Sequence, residues 1–580
     1  MNQRGFLARL CILSLFALAL LCAHGTAFSP DLSAQPPADL IREQLRSRIE
    51  GTRSPLALTV EGEALRALPT VVRFYEQREF QPVWVGENGA LARVAALATV
   101  LRNADRQGLQ PAYYHLAKIE TMLAELRREQ ALNPGIKLQR CINLELLLTD
   151  ASLMYISHVL AGRVSPKAID EAWFANRPEL NLVALLQRVL DDDHLEEALG
   201  NFRPPQEGYA GLQQALARYR DIASQGGWPI VPEGPKLQKG DRGPRVMALR
   251  KRLQATGELE ESSISERDFF DATVEQALRR FQQRHGLEPD GAVGPSTLTE
   301  LNVPVETRVR QLELNMERWR WLPQVLGERY ILVNIPNFTL ELVEHGQPVL
   351  TMRVVAGRPT RPTPMLGGEI THLILNPHWY VPPTIALQDK LPLIRKNPSF
   401  VARQHFKIFQ TSGSGSTQID PREIDWSKVT SRHFPYQLRQ DPGSSNALGR
   451  VKFMFQNPFQ VYLHDTPSRE LFAKTGRALS SGCIRLEKPT ELAEYLLRED
   501  PNWSRQKIVA TINAGKEQTV RLSARIPVYL LYWTAWADPD GVVQFRKDIY
   551  ERDRVLDKIL HDAFTLPKHD GQTYAAISRF

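Results

Sequence analysis

Phe459-Gln460-Val461-Tyr462-Leu463-His464-Asp465-Thr466 and, a short way on, Ser480-Ser481-Gly482-Cys483-Ile484-Arg485-Leu486 decide how this chain is read. The first stretch reads as a strand through His464. Residues two apart on a strand share a face, so Tyr462 and His464 point one way while Val461 and Leu463 face the opposite layer. The second stretch is a Ser/Gly-rich turn with a thiol beside Arg485, a polar setting expected to favour a thiolate over an inert buried thiol. If Cys483 rises toward the face that carries His464, the imidazole takes its proton and holds an ion pair, the activated nucleophile of cysteine acyl transfer. Gly482 leaves the backbone bare where a substrate carbonyl must approach. The amides of Cys483 and its neighbour, with the Tyr462 hydroxyl, are candidate oxyanion donors, and one such donor is worth about 3 kcal/mol. The group that orients His464 is either a backbone carbonyl near Asp465 or the Asp465 carboxylate.

Working outward, Ile331, Val333 and Ile335 alternate, as do Leu340 and Leu342, and Glu344-His345-Gly346-Gln347 turns the chain between such runs. This predicts a β-rich domain over 327–513. Inside it lies a long insertion, about 384–448, with Thr411-Ser412-Gly413-Ser414-Gly415-Ser416 as a flexible stretch; insertions of that length are usually lids or disordered. After Asn513 a strand pair, Pro527 to Trp536 and Val542 to Asp548, joined at Asp538-Pro539-Asp540-Gly541, and a polar helix are expected as a C-terminal extension over 514–580.

Upstream, 28–230 reads as a helical scaffold without a catalytic constellation. Leu144, Leu147, Leu148, Ala151 and Tyr155 recur at helical spacing, and Leu97 and Leu101 precede a turn-like Asp105 to Pro111. Gly226-Gly227-Trp228-Pro229 through Pro235 mark a linker. A compact unit follows over 237–303, with one stripe of Val246, Leu249 and Leu253 and a second of Val274, Leu278 and Phe281 that stops at Gly286. The fold class is therefore multidomain α+β: helical scaffold, small three-helix unit, and a β-rich domain with an inserted cap.

The chain has 580 residues, 43% hydrophobic and 24% charged, enough for three or four domains with cores of their own. Its net charge of +7 is spread along the sequence without a Lys/Arg block, so nucleic acid is not expected, whereas an anionic envelope polymer is compatible. Arg4 and Arg9, an apolar run from Leu10 to Cys22 and small residues to Ala27 read as a secretory signal over 1–27, cleaved after Gly25 or Ala27. That run is short for a span of about 20 residues, bulky Leu21 before Cys22 disfavours a lipoprotein signal, and no other segment is expected to cross a membrane. Two of the four cysteines lie in this leader. An exported chain left with Cys141 and Cys483 is no disulfide scaffold, and Cys141, in a helical apolar run, reads as core. No HExxH or paired-cysteine spacing indicates a metal site. Ser504-Arg505-Gln506-Lys507, Ser444-Ser445-Asn446 and Lys474-Thr475-Gly476 match the short motifs of serine penicillin-binding enzymes, but in the wrong order.

Two resemblances add to this reading. Leu237-Gln238-Lys239-Gly240-Asp241, Phe281 to Leu287 and Asp290 to Thr297 resemble the peptidoglycan-binding domain of cell-wall enzymes. The block from Tyr462 to Leu486 resembles the YkuD-type L,D-transpeptidase catalytic domain, whose signature is a histidine, a gap, and Ser-His-Gly-Cys before an aliphatic residue and Arg or Asn. Here Ser481 stands where that histidine would be, which leaves His464 alone as the base. With the scaffold and Asn376-Pro377-His378-Trp379-Tyr380-Val381-Pro382-Pro383, the chain looks like the large periplasmic L,D-transpeptidases of Gram-negative bacteria.

The resemblance implies that Cys483 attacks the third residue of a tetrapeptide stem, expels D-alanine and passes the acyl group to a diaminopimelate amine of another stem, without a cofactor or metal. It implies Arg485, Trp379, Tyr380 and Ser481 as substrate-side residues, with Arg485 steadying the loop or attracting a stem carboxylate. It further implies a cap over the site, a periplasmic location and reaction with carbapenem-type inhibitors. The same thiol would make a carboxypeptidase with water as acceptor, or attach a lipoprotein with a protein lysine as acceptor. A non-catalytic wall-binding factor is the reading from another class, and intact His464, Gly482 and Cys483 argue against it.

Overall fold

The computed structural model describes residues 38–51, 58–86, 89–128, 134–170, 180–260, 267–412, 415–430 and 434–565. The leader expected at 1–27, the middle of the Thr411–Ser416 run and the end of the C-terminal tail lie outside them. The chain forms two compact bodies, one of residues up to Ala95 with Ala117–Thr149, the other of Ala96–Leu116 with the chain from Asp150 onward. The helical region expected as one scaffold is thus divided between them. Helix Pro134–Ala161 supplies both, because it is apolar nearly all round rather than along one stripe. Its stretch Gly135–Ala161 has the length and apolar composition of a membrane-crossing helix, yet 89% of its most apolar window is buried within the protein, as in a core helix. Cys141 lies on it, buried, and burial raises its thiol pKa.

The unit expected over 237–303 contains helices Pro244–Ala255, Ala272–Arg284 and Pro295–Leu301. Both stripes meet in its core: Val246, Leu249, Leu253, Val274, Leu278 and Phe281 are fully buried, each worth about 1.5–3 kcal/mol. Asp271 caps the middle helix by accepting the Val274 N–H at 2.9 Å. Gly286, at φ 66°, follows its end in the left-handed conformation.

The β-rich part is one nine-stranded sheet: β1 (Arg329–Asn334), β2 (Thr339–Glu344), β3 (Gln347–Gly357), β4 (Leu366–Leu375), β5 (Val451–Phe455), β6 (Leu463–His464), β7 (Ala478–Ser480), β8 (Ile484–Leu486) and β9 (Gln518–Leu531). Their order is β7-β3-β8-β6-β5-β4-β9-β1-β2, and β2 also pairs with β3, which closes the sheet on itself. Ile331, Val333, Leu340, Phe453, Leu463 and Ile484 point into its interior, all fully buried.

Two expectations change here. The sheet does not end at Asn513: β9 runs from Gln518 and lies centrally, antiparallel to β4 and parallel to β1. The true hairpin beyond it is Ala535–Ala537 with Val543–Phe545. The insertion is ordered. Trp379–Tyr380, Phe406–Ser412, Gly415–Ile419 and Tyr436–Gln440 make a four-stranded sheet of its own. That sheet rests on an apolar core that includes Ile394, Val401, Ile408 and Leu438.

Candidate active site

Short β6 sits between β5 and β8, and its registers bring the site together. His464 pairs with Lys452 on β5 and with Arg485 on β8, while Leu463 pairs with Phe453 and Ile484. Since Leu463, Phe453 and Ile484 fill the interior, Lys452, His464 and Arg485 share the outer face. Cys483 directly precedes β8, opposite Tyr462, and the Ile484 N–H donates to the Tyr462 carbonyl at 3.2 Å. The Tyr462 main chain and hydroxyl both act on the sulfur to lower its pKa. The Tyr462 and His464 rings meet with centroids 5.7 Å apart, and Tyr462 also packs on the insertion's apolar core. The strand expected from Phe459 is shorter than foreseen: Gln460 takes a positive φ of 54°. The Asn457 side chain holds that turn, accepting from the N–H groups of Phe459 and Val461 at 3.1 Å each. The turn brings the Gln460 carbonyl to 3.9 Å from the Cys483 sulfur.

The alternatives for orienting His464 resolve by distance. His464 Nδ1 lies 2.5 Å from the Asp465 carbonyl oxygen. Donation there leaves Nε2 as the ring's free lone pair. The Asp465 carboxylate is engaged elsewhere, accepting the Arg450 N–H at 2.8 Å. It fixes the Gly449 turn, where φ is 64° and a side chain would meet the carboxylate at 2.4 Å. That turn sets the Leu448 carbonyl against the His464 ring.

The loop that carries Cys483 is held from three sides. Ser480 Oγ donates to the Cys483 carbonyl at 2.6 Å and accepts the Gly482 N–H at 3.1 Å. Buried Thr363 donates to the Gly482 carbonyl at 2.7 Å and accepts the Gly357 N–H at 2.9 Å. Arg361 donates to Ser481 Oγ at 3.1 Å while pairing with Asp389 of the insertion at 2.6 Å. Gly482 has φ 119°, a region open to glycine alone, whereas a Cβ there would find only the Pro362 carbonyl at 3.8 Å. Its backbone conformation is by itself a reason for glycine. Among the expected oxyanion donors, the Ile484 N–H is taken by Tyr462, which leaves the Cys483 N–H and the Tyr462 hydroxyl.

The electrostatics depart from the expected ion pair. Burial, helped by the Arg485 and Lys452 charges, drives the His464 pKa down to about 3, so the imidazole is neutral. Cys483 keeps partial access to solvent. Its surroundings are nonetheless crowded enough for burial to raise the thiol pKa, against the lowering effect of Tyr462, Lys452 and Arg485. The resting pair is therefore thiol and imidazole, not thiolate and imidazolium. Burial also lowers the pKa values of Lys452 and Arg485, and Arg485 Nε is buried without a hydrogen bond.

Other expected residues fall elsewhere. Trp379 is buried in the insertion's core, with Phe406 at 5.9 Å and Lys390 over its face at 5.5 Å. Tyr380 is 60% exposed beside His378. Lys452, Asn457 and Thr363 went unseen in the sequence, and Ser480, quoted at the head of the Ser-Ser-Gly-Cys run, was given no role.

A family model described as "L,D-transpeptidase catalytic domain" matches residues 328–510, which hold this whole constellation. The chain carries a YkuD-type L,D-transpeptidase catalytic domain. A "Scaffold domain" matches 69–216 and a "Putative peptidoglycan binding domain" matches 242–301. A Haemophilus influenzae protein described as "Putative L,D-transpeptidase" is 34% identical over 247 residues, 43% of this chain and 49% of that protein. "N-acetylmuramoyl-L-alanine amidase CwlM" of Mycobacterium tuberculosis is 41% identical over 80 residues, 13% of this chain and 20% of its own length. The chain thus spans half or less of these curated relatives. Among solved structures, an L,D-transpeptidase of Xylanimonas cellulosilytica is 15% identical, covering 52% of this chain and 99% of its own, with a TM-score of 0.17. The catalytic domain ends its match at residue 510, yet its sheet takes β9 from beyond that point.

Proposed function

We propose that this protein is a cysteine-dependent L,D-transpeptidase that forms 3→3 cross-links in peptidoglycan. The observation that carries the reading is the shared face of β6 and β8, where Tyr462, His464, Cys483 and Arg485 converge beside a glycine-defined loop. Cys483 Sγ attacks the carbonyl of the third stem residue, and the S–H proton passes to His464 Nε2 as the S–C bond forms. The oxyanion is received by the Cys483 N–H and the Tyr462 hydroxyl. The C–N bond to D-alanine then breaks, and its nitrogen leaves with the proton held on His464. A second stem's amine attacks the thioester, gives its proton to His464, and the sulfur recovers it. The neutral imidazole offers a lone pair for that proton, but its depressed pKa makes the transfer uphill, so it has to be driven by S–C bond formation.

Arg485, half-buried and with no hydrogen bond at its buried Nε among the described residues, suits a stem carboxylate. The insertion, joined to the loop through Asp389, Arg361 and Ser481, would act as the cap that excludes water from the thioester. A peptidoglycan substrate agrees with the matched binding domain and places the enzyme outside the cytoplasm. Incubation with tetrapeptide-bearing muropeptides and mass analysis tests the reading. A cross-linked dimer lacking one D-alanine is expected; a tripeptide alone would make it a carboxypeptidase, and unchanged substrate would make it a binder. A carbapenem should add its mass to the wild type and not to Cys483→Ala.

A further inference from the structure

A neutral imidazole leaves the sulfur without its expected counter-charge, and β5 supplies one. Lys452 is in register with His464 across β5 and β6. Its Nζ stands 3.8 Å from the centroid of the Tyr462 ring, the ring whose hydroxyl faces the sulfur. Lys452 forms no ion pair among the described residues. The acid that faces it, Glu517, is held by His378, which meets the carboxylate through its N–H at 2.6 Å and through Nδ1 at 3.0 Å. We propose that Lys452 is a positioning residue that stabilises the negative charge Cys483 gains as its proton leaves, acting through Tyr462.

A cation against a phenol face draws electron density from the ring and makes its hydroxyl a stronger donor to an anionic sulfur. The same charge acts on the sulfur directly through the low-dielectric face. Other charged or titratable groups around this face are His464 on β6, Arg485 on β8, His372 on β4, Arg521 on β9, Glu470 beyond β6 and Lys390 of the insertion, which is near Arg485. Among those on strands that flank Tyr462, Lys452 is the cation seated on the ring that reaches the thiol.

This inference rests on the reading of Cys483 as nucleophile and is tested without any muropeptide. Full-length wild type, Lys452→Met and Lys452→Arg are alkylated with iodoacetamide from pH 6 to 11, and the modified Ala478–Arg485 tryptic peptide is quantified. Lys452→Met should react about 10-fold more slowly at pH 8, its midpoint raised by about one unit, while Lys452→Arg stays within about 3-fold of wild type. Tyr462→Phe keeps the ring under the cation but loses the hydroxyl. It should raise the midpoint as well, and adding Lys452→Met to it should have less effect than in the wild type. An unshifted profile in Lys452→Met, equal slowing by Lys452→Arg, or full additivity with Tyr462→Phe would overturn the proposal. Should Lys452→Met unfold, Lys452→Gln and Tyr462→Phe carry the same comparison. A wild type inert toward muropeptides but with a Lys452-dependent thiol would sink the transpeptidase reading and support this one.

Discussion

Replacing Thr363 by valine changes a hydroxyl for a methyl at constant shape, in a position with no exposed surface. Two hydrogen bonds disappear, the one given to the Gly482 carbonyl at 2.7 Å and the one taken from the Gly357 N–H at 2.9 Å. No cavity opens and no water can enter, so two backbone groups are left buried without partners. Each costs about 1–3 kcal/mol, and the substitution should destabilise the protein by about 2–6 kcal/mol. Urea unfolding followed by tryptophan fluorescence should show a lower midpoint at unchanged slope. The same loss frees the loop that aims Cys483, and a misplacement of about 1 Å can cost about 100-fold in rate, so carbapenem acylation should slow about 10- to 100-fold. A variant within about 0.5 kcal/mol of wild type that is acylated at the wild-type rate would refute the argument that Thr363 holds the loop.

Other substitutions probe the remaining supports. Asp465→Asn should leave muropeptide turnover within about 10-fold of wild type, because a carbonyl and not the carboxylate orients His464; loss of activity equal to that of His464→Ala would show the carboxylate at work. Gly482→Ala meets no side-chain clash but must hold φ 119°, so about 1–3 kcal/mol of strain should appear in its unfolding midpoint. His464 has its folded pKa depressed to about 3, so below about pH 6.5 the unfolded chain binds a proton that the folded chain refuses. Stability should fall as pH drops from about 6.5 toward 3, by about 2 kcal/mol at pH 5. Urea midpoints at pH 7.5 and 5 should therefore lie closer together in His464→Gln than in the wild type. The neutral pair also predicts that wild-type alkylation shows no thiolate plateau between pH 4 and 7; such a plateau would restore the ion pair.

Local pattern made much of the site legible. Alternation alone put Tyr462 and His464 on one face and Leu463 in the interior, because a two-residue period needs no knowledge of the neighbouring strands. Lys452 and Thr363 were hidden because their roles arise from pairing across the sheet: Lys452 reads as an ordinary outward residue until its register with His464 is known. β9 was cut short by its own chemistry. Pro527 resembles a strand start, and Arg521 to Arg525 break the apolar alternation, while an irregular register between Arg521 and Ile526 lets the chain continue through both. The packing of Trp379 was hidden as well, since an aromatic beside prolines does not reveal that the insertion has a core of its own. The resting protonation state was out of reach, because burial decides it and burial belongs to the fold.

The central claim is that the Cys483 sulfur carries the stem as a thioester. Wild-type protein mixed with a tetrapeptide donor, quenched in acid and then digested briefly with trypsin at mildly acidic pH, where thioesters survive, would show it by mass. A tripeptide acyl group on Ala478–Arg485, free D-alanine in equal amount, and no adduct in Cys483→Ala are expected. D-alanine released without any acylated peptide, or an adduct that survives in Cys483→Ala, would contradict it.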